Sequence, residues 1–436
     1  MYQPVILLLV TACLATTKLI VHPENQHTLN PPDPDDRRPS RLSSFAYNPI
    51  DTSSPSTGFV AFGDSYSAGI GTGAVYGEDN RCMRGLNAHA ELIAADLSTS
   101  QGGPNTTAFQ FLSCTGSTTE DVLLSGGKSQ IDSFNVSLPT EFALLSIGGN
   151  DLGFFDVINA CVFRFYNFYS GTCETALANS RSRLESDEFE NRLHVLIMEI
   201  LDKVRWEKNP WFLITMTGYA RFFNENTDEC DDMSFGVWWR GPKLTKELRS
   251  GMNALVLTVN AKLQGAVNTI NSRFTKDKVV FVDYDKAFDG HRFCEPNITE
   301  PDYNRSDTWF FLVGGHDNGI NGTKPLATSD TEVLPSTSPL VDPTTCLEPA
   351  QRSGDWGLLA LCYMAMAKDN DSSLRLTRRD DLSVNGGWHT PLYYAKTFHP
   401  RTLGHEAIRD AIYKAWRKLD PWYHSYSSHD ALWLVE

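Results

Sequence analysis

The sequence predicts an α/β fold in which a mostly parallel sheet is covered by helices on both faces. Three observations predict it. Short apolar runs recur along the chain, amphipathic helical patterns lie between them, and polar, glycine-rich segments fall at the ends of the runs. Strands that alternate with helices form parallel sheets whose crossovers cover both faces. Ligands of such sheets sit beyond the carboxyl ends of the strands.

The elements follow in order. "GFVAFGDS" (residues 58–65) reads as a strand that ends in a tight polar turn, and "EFALLSIGGND" (141–151) as a second ending in a glycine-rich turn. "WFLITMTGYARFF" (211–223) and "KVVFVDYDKAF" (278–288) are two more. Residues 186–206 begin with acidic residues and then place apolar groups at helical spacing; residues 243–272 repeat the pattern. A last helix follows "HPRTLGHEAIRDAIYKAW". Two stretches exceed a minimal sheet, at about 224–242 and 294–390, and read as insertions near the rim. Their aromatic residues Trp238, Trp239, Trp309, Phe310, Phe311 and Trp388 either line an acyl or sugar site or form a minor core under a long loop.

The 436 residues suffice for one large domain with insertions or for two domains. A net charge of −15 argues against nucleic acid, whose phosphates need clustered Lys and Arg, and against attraction to anionic membranes. Residues 4–15 form an apolar run ending in small residues, too short to span a bilayer, and 1–15 are expected to be a signal peptide. No later run of 18 apolar residues follows, so no integral membrane segment is expected. Residues 16–57 are rich in Pro, Asp and Ser and read as a flexible leader before a single domain at 58–436. Without Cys13, eight of the nine cysteines remain, an even number that suits disulfides in a secreted chain. None has zinc-type spacing, and no metal is expected. Sequons at Asn105, Asn135, Asn297, Asn304, Asn321 and Asn370 add to the reading of a secreted, extracellular glycoprotein.

The segment "FGDSYSAGIGTG" (62–73) admits two chemistries. As a phosphate loop it fails. Gly69, Gly71 and Gly73 are followed by Ala74 where the dinucleotide pattern needs glycine, and no Gly-Lys-Ser/Thr is present. As a nucleophile turn it presents Ser65, which needs a base and donors for the oxyanion. "FLSCTGS" (111–117) offers the Gly116 N–H, "GGND" (148–151) offers the Asn150 side-chain amide, and "KTFHPRTLGHEA" offers His399 before the last helix. His291 and His405 are rival bases, more simply read as packing residues. Asp64 and Asp151 more simply brace the Ser65 and Asn150 turns than transfer protons.

Gly63-Asp64-Ser65, Gly116, Gly148-Gly149-Asn150-Asp151 and His399-Pro400, in this order over most of residues 58–417, resemble the SGNH, or GDSL, hydrolases. The resemblance is nearest to a branch of secreted esterases with segments like "FVDYDKAFDGHRFC" and "HPRTLGHEA". It implies a three-layer α/β/α sandwich and ester hydrolysis without cofactor. Ser65 is then the nucleophile and His399 the base. The oxyanion donors are the Ser65 and Gly116 N–H groups and the Asn150 side chain. It also implies the disulfides Cys82–Cys114, Cys161–Cys173, Cys230–Cys294 and Cys346–Cys362.

One position departs from the family. The usual Asp three residues before the histidine is Lys396, whose ammonium cannot accept a hydrogen bond. The expected substitute is the Lys396 backbone carbonyl, holding His399 Nδ1. The expected substrate is an ester of a lipid, an acylated glycan or a small alcohol, acted on by a monomer. The competing readings are a glycan- or lipid-binding glycoprotein on the same scaffold and a structural glycoprotein with incidental motifs.

Overall fold

The computed structural model describes residues 57–77, 80–100, 107–123, 125–163, 172–235, 242–302, 305–312, 315–319, 366 and 396–419. The expected signal peptide, the leader through residue 56, Trp238, Trp239, Trp388, Cys346, Cys362 and the sequons at Asn105, Asn304, Asn321 and Asn370 lie outside the described residues.

Strand β1 (Thr57–Gly63) is followed by the one-turn helix α1 (Ser65–Ala68), α2 (His89–Ser100) and β2 (Thr107–Phe111). Two short helices, α3 (Thr119–Val122) and α4 (Gln130–Ser133), precede β3 (Phe142–Ser146). Then come α5 (Phe154–Ile158), α6 (Cys173–Glu185), α7 (Asp187–Lys203), β4 (Leu213–Thr217), α8 (Lys246–Asn271), β5 (Val279–Val282) and α9 (Thr402–Trp416). The strands form one sheet in the order β2-β1-β3-β4-β5. Every neighbouring pair is parallel. The order reverses at β1, and the crevice beside such a switch point is where doubly wound sheets bind ligands.

Helices cover both faces, giving the α/β/α layers. On one side, Phe59 stacks on Phe109 and Phe142 at 4.5 and 4.7 Å across three strands. Trp416 of α9 sets its ring against Phe142 at 4.9 Å and donates its indole N–H to Thr215 Oγ1 at 2.8 Å. Helix α9 also packs on α2. In the other layer, α7 buries Phe189, Leu193, Leu196, Ile197, Ile200 and Leu201, the stripe expected from its helical spacing, and packs on α8.

One strand and two strand ends differ from the sequence expectation. β2 was not anticipated: its five residues include Gln110, and its side chains alternate between partly exposed and buried as the edge strand. β4 stops at Thr217 because the next backbone groups leave the ladder; the Tyr219 N–H donates to Asn260 Oδ1 and its carbonyl accepts from Asn260 Nδ2, both at 2.8 Å. β5 stops at Val282, where Asp283 Oδ1 accepts from the Asp285 N–H at 3.0 Å and turns the chain.

The first insertion is ordered over 224–235 by a fully buried cation. Arg249 of α8 donates to the carbonyls of Asn224 and Thr227 and pairs with Asp231 Oδ1 at 2.6 Å. Of the second insertion's aromatics, Phe310 and Phe311 are buried in the core and Trp309 stacks on His291 at 3.8 Å, so these three form the minor core. The bonds Cys82–Cys114, Cys161–Cys173 and Cys230–Cys294 are present. Among the described residues no helix is long and apolar enough to cross a membrane.

Candidate active site

Ser65 follows β1 at its carboxyl end. The turn requires Gly63, which has φ +134° and where a Cβ would lie 2.1 Å from the Ser146 carbonyl oxygen. Gln130 clamps both sides of that glycine, accepting from its N–H and donating to its carbonyl at 2.8 Å. Asp64 caps α1, its Oδ1 accepting the Tyr66 N–H at 2.9 Å. Ser65 is thereby placed at the first position of α1.

His399 lies in the loop before α9, 334 residues away in sequence, with Nε2 2.6 Å from Ser65 Oγ. Its Nδ1 faces the Thr397 carbonyl at 3.1 Å. A carbonyl only accepts, so Nδ1 carries the proton and Nε2 offers its lone pair to the serine hydroxyl. The carbonyl facing Nδ1 is thus one residue on from the expected one: the Lys396 carbonyl takes the backbone N–H of His399 at 3.0 Å and acts on the imidazole only as a second, weaker acceptor. The physical reason is the turn itself. Phe398 has φ +65°, which is costly for a bulky residue, and the reversal directs the Thr397 carbonyl toward the imidazole. Two interactions hold this conformation. The Phe398 ring sits among Phe222, Phe223 and Phe293 with centroids 5.0–5.6 Å away, and its carbonyl accepts the Tyr66 hydroxyl at 2.7 Å.

The Lys396 side chain turns away from the imidazole. Its ammonium donates to the Gly315 carbonyl at 2.7 Å and lies 4.5 Å from the centre of the Phe311 ring. Burial pushes the amine down to about 8, against the attraction of Asp317. Gly71 makes room for it, since a Cβ there would lie 2.8 Å from Lys396 Cδ. The glycine-rich run therefore serves packing beside Ser65.

The turns after β2 and β3 adjoin the Ser65 turn at the same edge of the sheet. The Cys114 N–H donates to the Gly63 carbonyl at 2.9 Å, and Cys82–Cys114 secures the same turn. Gly116 has φ +89° with open space where a Cβ would stand, and its N–H donates to none of the described residues. Asn150 gives one amide N–H to the Ser117 carbonyl at 2.8 Å, which orients the other. Asp151 accepts the Thr119 N–H at 3.0 Å and the Thr119 hydroxyl at 2.5 Å, with Arg192 at 3.5 Å. Burial raises its pKa, only partly offset by these donors. Asp64 is pushed up to about 7, chiefly by burial, while the Tyr219 hydroxyl and backbone donors pull it down. Both carboxylates are engaged in bracing.

The rival histidines lie elsewhere. His291 Nδ1 donates to the Asp307 carbonyl at 2.8 Å. His405 is fully buried against His89, Nδ1 to Nδ1 at 3.3 Å. Several supports were missed by sequence reasoning: Tyr66, Gln130, Tyr219 and Asp317. Asp317 accepts the Gly73 N–H and the Thr402 N–H, both at 2.8 Å, joining the glycine loop to the start of α9. Tyr219 falls within the run 211–223 read as a strand and Tyr66 within the 62–73 segment, but neither residue type marked a role there. Among the described residues no three His, Cys, Asp or Glu side chains gather as metal ligands.

The profile of the family described as GDSL-like Lipase/Acylhydrolase matches residues 59–412. The chain belongs to this family. It is 34% identical over 170 residues to Lipase 1 of Streptomyces coelicolor, a match covering 39% of this chain and 55% of that protein. The chain thus spans about half the length of that relative. It is 26% identical over 238 residues to a lipase of Streptomyces rimosus, covering 55% of this chain and 74% of that one. Among solved structures, the phospholipase A1 of Streptomyces albidoflavus NA297 is 26% identical with a TM-score of 0.41, covering 55% of this chain and 84% of that chain.

The pH response expected of a base at His399 follows from the burial of its imidazole. Burial pushes its imidazole down to about 4, while the Thr397 and Lys396 carbonyls pull it partly back up. The imidazole therefore stays neutral to acidic pH. The acid limb of kcat/KM for an uncharged ester is expected near pH 4 instead of the ordinary histidine range. Asp64→Asn removes the second titration, near 7, and leaves that limb in place. A limb remaining near 6.5 in Asp64→Asn contradicts the assignment.

Proposed function

We propose that the protein is a secreted serine hydrolase of carboxylic esters. The carrying observation is the 2.6 Å contact between Ser65 Oγ and His399 Nε2. Its counterpart is the Nδ1 proton held by the Thr397 carbonyl at 3.1 Å. Ser65 Oγ attacks the ester carbonyl as its proton passes to Nε2. The carbonyl π pair moves onto oxygen, where the Ser65 and Gly116 N–H groups and the free Asn150 N–H receive it. Such a donor is worth about 3–4 kcal/mol in the transition state. The oxyanion collapses, the C–O bond to the alcohol breaks, and the alcohol leaves with the proton from Nε2. Water then attacks the acyl-enzyme with His399 as base, releasing the acid and restoring Ser65.

A carbonyl prop fixes the tautomer as a carboxylate would, but brings no full negative charge to the imidazolium. Lipid esters are the favoured substrate class, on the names of the Streptomyces relatives. The disulfides and the expected signal peptide support secretion. The test uses a panel of chromogenic esters of graded acyl length together with a fluorophosphonate probe. Turnover and labelling of the Ser65 peptide are expected, with preference for longer acyl chains over acetate. Folded protein that neither turns over nor labels overturns the reading and favours a binding scaffold.

A further inference from the structure

The Tyr219 hydroxyl lies between two of the turns that build the site. It donates to Asp64 Oδ2 at 2.8 Å and accepts the Gly149 N–H at 3.1 Å. With Asp64 ionised, the direction of both bonds is determined. A backbone N–H only donates, so the tyrosine oxygen accepts there and its own proton goes to Asp64. Asp64 Oδ1 meanwhile takes the Tyr66 N–H, inside the helix that begins with Ser65. Tyr219 has little freedom of its own. Asn260 holds its backbone N–H and carbonyl at 2.8 Å each, and its ring meets that of Tyr66 edge-on at 5.1 Å. It is nearly inaccessible, at 7% exposure.

From this geometry we infer that Tyr219 is a positioning residue, setting the distance between the nucleophile turn and the oxyanion turn. The inference rests on the ester-hydrolase reading. Engaging the Gly149 N–H also withdraws it from the oxyanion, so that the turn presents the Asn150 side chain instead. The hydroxyl acts only through the two turns. Its loss leaves the Gly149 N–H and Asp64 without their shared partner and lets the turns shift. A displacement of about 1 Å in a reacting geometry costs up to about 10² in rate. Because the misplaced group serves the transition state, the loss belongs in kcat.

The experiment compares wild type, Tyr219→Phe, Asp64→Asn and the double variant in full-length protein, with Ser65→Ala as the blank. A chromogenic ester gives kcat and KM, and a thermal melt is recorded for each. Tyr219→Phe is expected to lower kcat about 10- to 100-fold with KM within about threefold. Asp64→Asn places an amide against the tyrosine oxygen and disturbs the same bond from the other end. The double variant is therefore expected to be no worse than the poorer single one, the mark of a shared interaction. Unchanged kcat with a lowered melting temperature would make Tyr219 merely structural and overturn the inference, as would raised KM at constant kcat. If Tyr219→Phe does not fold, Asp64→Asn alone decides: unchanged kcat and KM overturn the inference, and a kcat loss at constant KM upholds it. Wild type that matches the Ser65→Ala blank overturns the ester reading itself, whereas active wild type with an equally active Tyr219→Phe overturns only the role of Tyr219.

Discussion

Ser65→Ala is expected to lower kcat on an ester by on the order of 10⁶, and adding His399→Ala to it is expected to cost almost nothing more. Both follow from the 2.6 Å contact between Oγ and Nε2. Alanine has no nucleophile to activate, and His399 without Ser65 has no proton to take. Residues that act as one unit lose their function together, so their free energies do not add. The residual rate over water, on the order of 10³, would come from the oxyanion donors and substrate binding alone. Steady-state kinetics of the two single variants and the double variant measure this directly. A double variant many-fold slower than either single variant would mean that the two residues act separately. Appreciable turnover by folded Ser65→Ala would place the nucleophile elsewhere.

Ser65 and His399 were legible as candidates because each lies beside a strong local signal. Ser65 ends an apolar strand and His399 precedes a helix with clear periodicity. Asn150 lies in the glycine turn after β3. The Gly63, Asp64 and Gly148 neighbours announce turns that only such sequences form. What was not legible depends on contacts between distant segments. The Lys396 carbonyl was expected to face His399 Nδ1, and the Thr397 carbonyl faces it at 3.1 Å, because the left-handed backbone of Phe398 is held by aromatic residues from 222 to 293. Strand β2 has too few residues and too mixed a pattern to stand out, yet it carries the chain toward Gly116. Tyr66, Gln130 and Tyr219 bear ordinary side chains whose meaning comes only from what the sheet order brings beside them. The same limit governed Phe310 and Phe311. Their composition fitted a binding wall equally well, and only burial identified them as core.

Asn150→Ala is the second large effect, expected at about 10²–10³ in kcat with KM little changed. The amide meets the substrate oxygen most strongly when that oxygen bears charge, so its removal falls on the transition state. The side chain has a second task, since one N–H serves the Ser117 carbonyl at 2.8 Å. Alanine therefore also frees the turn that carries Gly116, and two donors weaken in one substitution. Asn150→Asp separates these contributions. It keeps the shape but supplies only acceptors when ionised, facing both the Ser117 carbonyl and the oxyanion with negative charge. If the charge on the oxyanion dominates, aspartate is slower than alanine while both retain KM. If Asn150 serves only to hold the turn, both variants lower the melting temperature and kcat recovers when the assay is run well below it. A thermal melt beside kcat at two temperatures distinguishes these outcomes, and recovery of kcat to the wild-type value would remove Asn150 from the oxyanion site.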